Sequence, residues 1–319
     1  MPRFSPSQST ECSADWAPNR PKTPLFHPDG VRSPHTGVVV SVIVPAHNEA
    51  RVIGRLLSRL TDEAGPQVEV IVVCNGCTDD TAAVAAEFPG VRVIDTPVSS
   101  KVEALRLGDA AALGFPRVYV DADVEIDLAG IRAIGSVLES GSVLAAAPRR
   151  AIPRHGVSTL VGWYYDIWEE LPGVRDGIFG RGVIGLSEAG HARISVLPRL
   201  MSDDLAMSSA FADAEREVVA AAVVTVHPPR TWADLMRRRV RVATGTAQAY
   251  AEDNGLVTDS RTTKSDLIEV CRRRPVLILR VPVFLAAAVL ARRKAASSLR
   301  RGDFTTWLRD ESSRDAPPR

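Results

Sequence analysis

The 319 residues carry 39 Lys and Arg against 38 Asp and Glu, with 45% hydrophobic and 24% charged residues. That is ordinary soluble composition, with length enough for one large core or two modest ones. It excludes a collagen, a wholly disordered chain, a disulfide-rich miniprotein and a polytopic membrane protein, and a net charge of +1 offers no uniformly basic surface for nucleic acid. The charge is uneven along the chain. From Arg230 onward 19 basic residues face 10 acidic ones, leaving 20 against 28 before it, so the rear suits an anionic partner or solvated helix faces. Cys12, Cys74, Cys77 and Cys271 are too few for a disulfide framework, and the opening MPRFSPSQST has no apolar core for a signal peptide. A cytosolic home is expected.

In chain order, residues 1–36 hold seven of the 22 prolines without periodicity and are expected to be a disordered leader. VVVSVIVPA (Val38 to Ala46) reads as a buried strand, and Arg51 to Leu60 spaces its apolar residues as a helix. A strand at Val68 to Cys74 precedes a helix at Thr78 to Phe88, capped by Thr78 or Asp79. Further strands are expected at Val91 to Asp95, Arg117 to Val124 and Ser142 to Pro148, with helices at Ser99 to Leu113 and Leu128 to Leu138. This alternation predicts an α/β fold, a mostly parallel sheet with helices on both faces. Residues 149–200 are irregular; Asp203 to Glu217 reads as helix, Val218 to Val226 as strand and Trp232 to Tyr250 as an arginine-studded helix.

In such sheets, ligands bind beyond the carboxyl ends of the strands. Those ends read IVPAHNE, CNGCTDDT, SSKVEALRLG and VDADV. Asp121 and Asp123, separated by one small residue at a strand end, are hard oxygen ligands suited to Mg²⁺ or Mn²⁺ shared with phosphates. A DxD alone is weak evidence, because strands often end in acidic turns.

The four motifs in this order resemble the family 2 glycosyltransferases, inverting enzymes of the GT-A fold that use nucleotide sugars. The resemblance covers about residues 38–250. It implies a GT-A domain over 37–250 with a Rossmann-like nucleotide-binding half, which leaves residues 251–319 as a basic helical C-terminal segment. It further implies that Pro45, Ala46 and Glu49 approach the base and ribose. Asn75 stands where many relatives carry Asp, and would meet the base edge; an amide donates as well as accepts, so uracil does not follow. Asp79 would contact nucleotide or cap the next helix, and Lys101, preceded by Ser100 where the family prefers Gly, would lie near the diphosphate or in solvent. Asp121 would touch ribose or metal, and Asp123 would ligate the metal.

Downstream, MSDDLAM matches the family's acidic pair with Asp in place of Glu. Asp204 is then the base that takes the acceptor hydroxyl proton, supported by Asp203; such positioned abstraction contributes about 10²–10⁴-fold. MRRRVRVATG aligns with the Q-x-x-R-W of processive relatives but lacks both Gln and Trp, which favours transfer of a single sugar. Arg238 and Arg241, three apart on one helix face, could fork onto diphosphate oxygens or stay solvated. Gly180-Arg181-Gly182 could shape a flexible acceptor loop. Trp163, Tyr164, Tyr165 and Trp168 could stack on sugar, meet a membrane or simply pack.

Residues 275–291 are apolar except for Arg280 and flanked by Arg272–Arg274 and Arg292–Lys294. They suit an interfacial or re-entrant helix, or a buried amphipathic one. The expectation is therefore a metal-dependent transferase in glycolipid or cell-surface polysaccharide synthesis. It would be cytoplasmic and peripheral on the inner face of the plasma membrane, acting on a lipid-linked or soluble acceptor. A haloacid-dehalogenase-type phosphatase with Asp121 as nucleophile is the rival enzyme, but no lysine lies between Asp121 and Asp203. An inactive sugar-nucleotide-binding protein is the other alternative. A zinc site at Cys74 and Cys77 lacks a second ligand pair, and no GxGxxG follows the first strand.

Overall fold

Apolar β-branched runs bounded by turns become the sheet. The computed structural model describes residues 40–61, 68–196, 210–252 and 262–300. All of these fall in one compact unit, 37–319, and the expected leader, 1–36, lies outside the described residues. The first half runs β1 (Val40–Ala46), α1 (Ile53–Thr61), β2 (Val68–Asn75), α2 (Thr81–Ala86), β3 (Val91–Thr96), α3 (Lys101–Ala111), β4 (Arg117–Val120), β5 (Val124–Glu125), α4 (Leu128–Glu139) and β6 (Ala145–Ala151). The second runs α5 (Thr159–Trp168), α6 (Pro172–Arg175), β7 (Val183–Leu186), α7 (Glu188–Ser195), β8 (Arg216–Val226), α8 (Trp232–Glu252), α9 (Lys264–Arg273) and α10 (Val281–Arg300).

The eight strands form one sheet in the order β3-β2-β1-β4-β7-β6-β8-β5. β3, β2, β1 and β4 are mutually parallel, as are β6 and β8. β1 is buried throughout because helices cover both faces. Val40, Val42 and Val44 share a core with Ile53, Leu56 and Leu57 of α1 and Ile131 and Ile134 of α4, while Ile43 packs with Leu105 of α3 on the other side. Gly108 lets α3 approach that closely: a Cβ there would stand 2.4 Å from Ile43 Cγ2.

β7, an antiparallel strand absent from the sequence reading, lies between β4 and β6. Because β7 opposes both, β4 and β6 point the same way. The chain entering β7 and the chain leaving β6 therefore reach the edge where β1, β2 and β4 end.

Several boundaries depart from expectation. The strand expected over 117–124 divides into β4 and β5 around a turn at Asp121–Asp123. β6 begins at Ala145, three residues later than expected, and α2 is confined to Thr81–Ala86. Of the helix expected at Asp203 to Glu217, residues 203–209 lie outside the described residues. The rest is a turn, a short 3-10 turn at Asp213–Glu215 and the start of β8. The cause is largely contacts from distant positions: Glu215 forks onto Arg193 at 2.7 and 2.9 Å, its carbonyl takes the Leu144 N–H, and it also accepts from the Ala212 backbone N–H at 3.0 Å.

A second core joins α5, α8, α9 and α10 through Tyr164, Tyr165, Leu235, Val240, Val270 and Phe284. Tyr164 stacks on Phe284 at 5.3 Å and meets Tyr165 edge-on. Most of the aromatic cluster of α5 is thus helix packing.

Candidate active site

The carboxyl ends of β1 and β2 are tied together by side chains. His47 Nδ1 donates to the Asn75 carbonyl at 2.6 Å, and Asn75 Nδ2 donates to the Ala46 carbonyl at 2.9 Å. Asn75 is 4% exposed, so one amide hydrogen is engaged within the protein while Oδ1 keeps its acceptor capacity. Asn48 adopts φ +52°, a conformation Asn tolerates better than most residues, and its Oδ1 accepts the Thr78 N–H at 2.7 Å. Pro45 and Ala46 are the last two residues of the buried strand β1. Glu49 is 8% exposed and its backbone N–H donates to Thr81 Oγ1.

Asp79 acts on backbone. Its carboxylate accepts from the N–H groups of Ala50 at 3.2 Å and Thr81 at 3.1 Å, and from the Thr81 hydroxyl. It fastens the loop after β1 to the start of α2, a capping geometry one residue before the helix's own N-cap, Asp80. Gly76, at φ +59°, lies against the chain entering α3: a Cβ would be 2.7 Å from Ser99 Cβ. Ser100, at the family's Gly position, is the N-cap of α3 and accepts from the Glu103 N–H.

Lys101 opens α3 and reaches across to β4, where Nζ meets Asp121 Oδ1 at 2.7 Å. From the other side comes the loop before β7. The Gly182 carbonyl accepts the Asp121 N–H at 2.7 Å. Gly182 has φ +66°, and a Cβ there would stand 2.6 Å from Val124 and 3.3 Å from Asp121 Oδ2. Without a side chain there, the Gly182 backbone packs closely against the turn that carries Asp121.

After the turn, Glu125 accepts from His227 Nε2 at 2.6 Å and pairs with Arg59 at 2.8 Å, pinning β5 to the end of β8. Burial alone would raise the Glu125 pKa, but the hydrogen bond and charge of His227, with Arg59 and Arg55, bring it below the usual carboxylate range. Neither His227 nor Arg59 carried a signal in sequence; each is a lone residue with no motif around it.

A group of arginines borders this edge. Arg181, 3% exposed, donates to the carbonyls of Gly177, Pro148 and Arg175. The Gly180-Arg181-Gly182 loop is therefore stapled from within, where the sequence suggested a flexible one. Arg150, at the end of β6, donates to the Phe179 carbonyl at 3.1 Å and lies 4.5 Å over the Trp168 ring. Burial, with the charges of Arg181 and Arg238, pushes its pKa down to about 9. Its Nε is buried without an acceptor. Arg238 thus reaches the Arg150 and Tyr164 neighbourhood, whereas Arg241 is an exposed residue of α8. Asp203 and Asp204 lie outside the described residues.

Among the described residues, no three His, Cys, Asp or Glu side chains converge as a metal cage. Two carboxylates on one turn, with the Asp121 side chain 32% exposed, fit a small hard cation that takes its remaining ligands from phosphates and water.

The sequence model described as "Glycosyl transferase family 2" matches residues 41–165, which run from β1 through the Asp121–Asp123 turn into α5. Residues 41–165 belong to glycosyl transferase family 2. Among curated relatives of this family 2 segment, glycosyltransferase AglD of Haloferax volcanii is 34% identical over 128 residues, 37% of this chain and 20% of the relative. The 4,4'-diaponeurosporenoate glycosyltransferase of Staphylococcus aureus is 36% identical over 91 residues, 27% of this chain and 24% of the relative. The match thus spans a fifth to a quarter of these relatives. Among solved structures, a mannosyltransferase from Pyrobaculum calidifontis in complex with GDP-Man and Mn²⁺ superposes with a TM-score of 0.53 at 20% identity, covering 82% of this chain and 79% of that one. The glucosyl-3-phosphoglycerate synthase of Mycobacterium tuberculosis gives 0.50 at 21% identity, covering 68% and 82%. The fold is the GT-A fold, with the helical C-terminal segment added.

Proposed function

We propose that the protein transfers a sugar from a nucleoside-diphosphate donor to an acceptor hydroxyl, with inversion at the anomeric carbon. The observation that carries this is the 2.7 Å pair of Lys101 and Asp121 at the edge where β1, β2 and β4 end. An ammonium and a carboxylate, both partly exposed, pair there next to the loops after β1 and β2 that the family resemblance gives to the nucleotide. The nucleoside would lie along Pro45, Ala46, Glu49 and Asn75, with Lys101 and Arg238 facing the diphosphate and Arg241 nearby.

Asp123 and Asp121 would hold Mg²⁺ or Mn²⁺, which supplies charge neutralisation for the departing diphosphate. The solved mannosyltransferase holds GDP-Man with Mn²⁺, which supports this donor and metal chemistry. Asp204, assisted by Asp203, would take the acceptor proton as the hydroxyl attacks opposite the leaving group. Lack of the Gln and Trp of processive relatives favours a single transfer, to a lipid-linked or soluble acceptor in glycolipid or polysaccharide synthesis. The proposed location is cytoplasmic, on the inner face of the plasma membrane.

A phosphatase using Asp121 as nucleophile is disfavoured, because the family 2 match runs through the DxD turn and also accounts for the ends of β1 and β2. Asp204→Asn tests the assignment: transfer should fall by about 10²–10⁴-fold with nucleotide binding retained. Unchanged turnover would remove Asp204 as the base.

A further inference from the structure

Residues 275–297 are long and apolar enough to cross a membrane by length and composition. Their packing argues for another disposition. Leu277, Phe284, Ala287, Ala291 and Ala295 are buried in the core shared with α5 and α8. On α10 these four fall at intervals of three and four, a single stripe facing inward. A spanning helix would have to withdraw that stripe from the protein.

The opposite side is apolar and uncovered. Leu279 is 81% exposed and Val276 68%, with Ile278, Leu285, Val289 and Leu290 also exposed. Scattered apolar residues are normal on a surface, but six within 15 positions on one turn-and-helix unit form a patch of the kind that marks an interaction site. Its ends are basic: exposed Arg272, Arg273 and Arg274 precede it, and exposed Arg292, Arg293 and Lys294 follow. Two of these six cations have carboxylate neighbours, Arg273 with Glu269 and Arg274 with Glu170. The helix is also fixed to the body at the patch, where Arg280 pairs with Asp166 of α5.

We propose that this face is a docking surface for an anionic lipid bilayer, with α10 lying in the plane of the interface. The apolar middle would enter the acyl boundary while the two basic ends meet lipid phosphates; a protein partner offers no reason for cations at both ends of one apolar stripe. The inference gives the proposed membrane location a surface, and it stands independently of the transfer reaction.

The test is cosedimentation of the full chain with vesicles of phosphatidylcholine alone and of phosphatidylcholine mixed with phosphatidylglycerol. The protein should partition onto the anionic vesicles about tenfold more strongly, and the difference should shrink at high salt. Leu279→Glu combined with Leu285→Glu should lower that partition by about tenfold or more at unchanged melting temperature. Leu279→Ser, at the most exposed of the apolar sites, serves if the double variant fails to fold. Arg292→Glu with Arg293→Glu should abolish the preference for the anionic vesicles.

Absence of binding to both vesicles would overturn the proposal, as would full binding by the leucine variants. Sedimentation velocity covers the remaining occupant. A dimer that these variants convert to monomer, without vesicle binding by the parent, would assign the face to a second copy of the chain and overturn the lipid assignment.

Discussion

Lys101 and Asp121 stand 20 positions apart in sequence and 2.7 Å apart in space. Both are partly exposed, so solvent screens the pair and its worth to stability is about 1 kcal/mol or less. Lys101→Ala should therefore leave the melting temperature nearly unchanged while lowering kcat/KM about a hundredfold, the scale for removing a donor aimed at developing charge. A large loss of stability with full activity would make the pair structural. Asp109 has the opposite character. Burial would raise its pKa, but hydrogen bonds with His191 and Tyr119 and the charges of His191 and Arg117 hold it below the usual carboxylate range. Its contribution is present above the unfolded carboxylate pKa, about 4, and is lost as pH falls through the lower folded value. Asp109→Asn should lower stability at neutral pH and flatten the acid limb of a melting-temperature profile. An acid limb as steep as the parent's would assign it to other groups.

At the scale of elements, the turn between β4 and β5 is built by its neighbours. Gly182 approaches from the chain entering β7, and Glu125 fixes the far side through His227 and Arg59. Gly182→Ala combines a left-handed backbone with a contact of 2.6 Å to Val124. It should cost about 1–3 kcal/mol, read as a denaturation midpoint, and should weaken nucleotide binding by moving Asp121. The elements before this turn were legible in sequence because periodicity is local: β1, α1, β2 and α3 emerge where apolar spacing puts them, to within a few residues. β7 was not, since VIGL at residues 183–186 is four residues long and its antiparallel place depends on β4 and β6. The start of β8 was misread for a related reason. Glu215 and Arg193 set the conformation across 22 positions, and a helical pattern cannot show that.

Across the whole molecule, the charge cancellation visible in the sequence divides between two regions. The site edge holds Asp121 and Asp123 with Lys101, Arg150 and Arg238 near the loops that flank them, and the apolar face of α10 and the turn before it lies between Arg272–Arg274 and Arg292–Lys294. The sequence identified Arg238 by motif alignment. It gave no signal for Arg150, whose neighbours Arg181, Trp168 and Phe179 come from separate elements. The aromatic cluster of α5 read equally as acceptor platform or packing, and only the position of α10 shows Tyr164 to be core. The central claim is a nucleoside diphosphate held through a divalent cation at Asp121 and Asp123. Its most direct measurement is the thermal stability of the protein and of Asp123→Asn with a panel of nucleoside diphosphates and their sugars, with and without Mn²⁺. A ligand at about 100 times its Kd stabilises by about 2.7 kcal/mol, so at least one nucleotide should raise the parent's melting temperature by several degrees in Mn²⁺, less without it, and little in the variant. A folded parent that no nucleotide stabilises in the presence of Mn²⁺ would contradict the account.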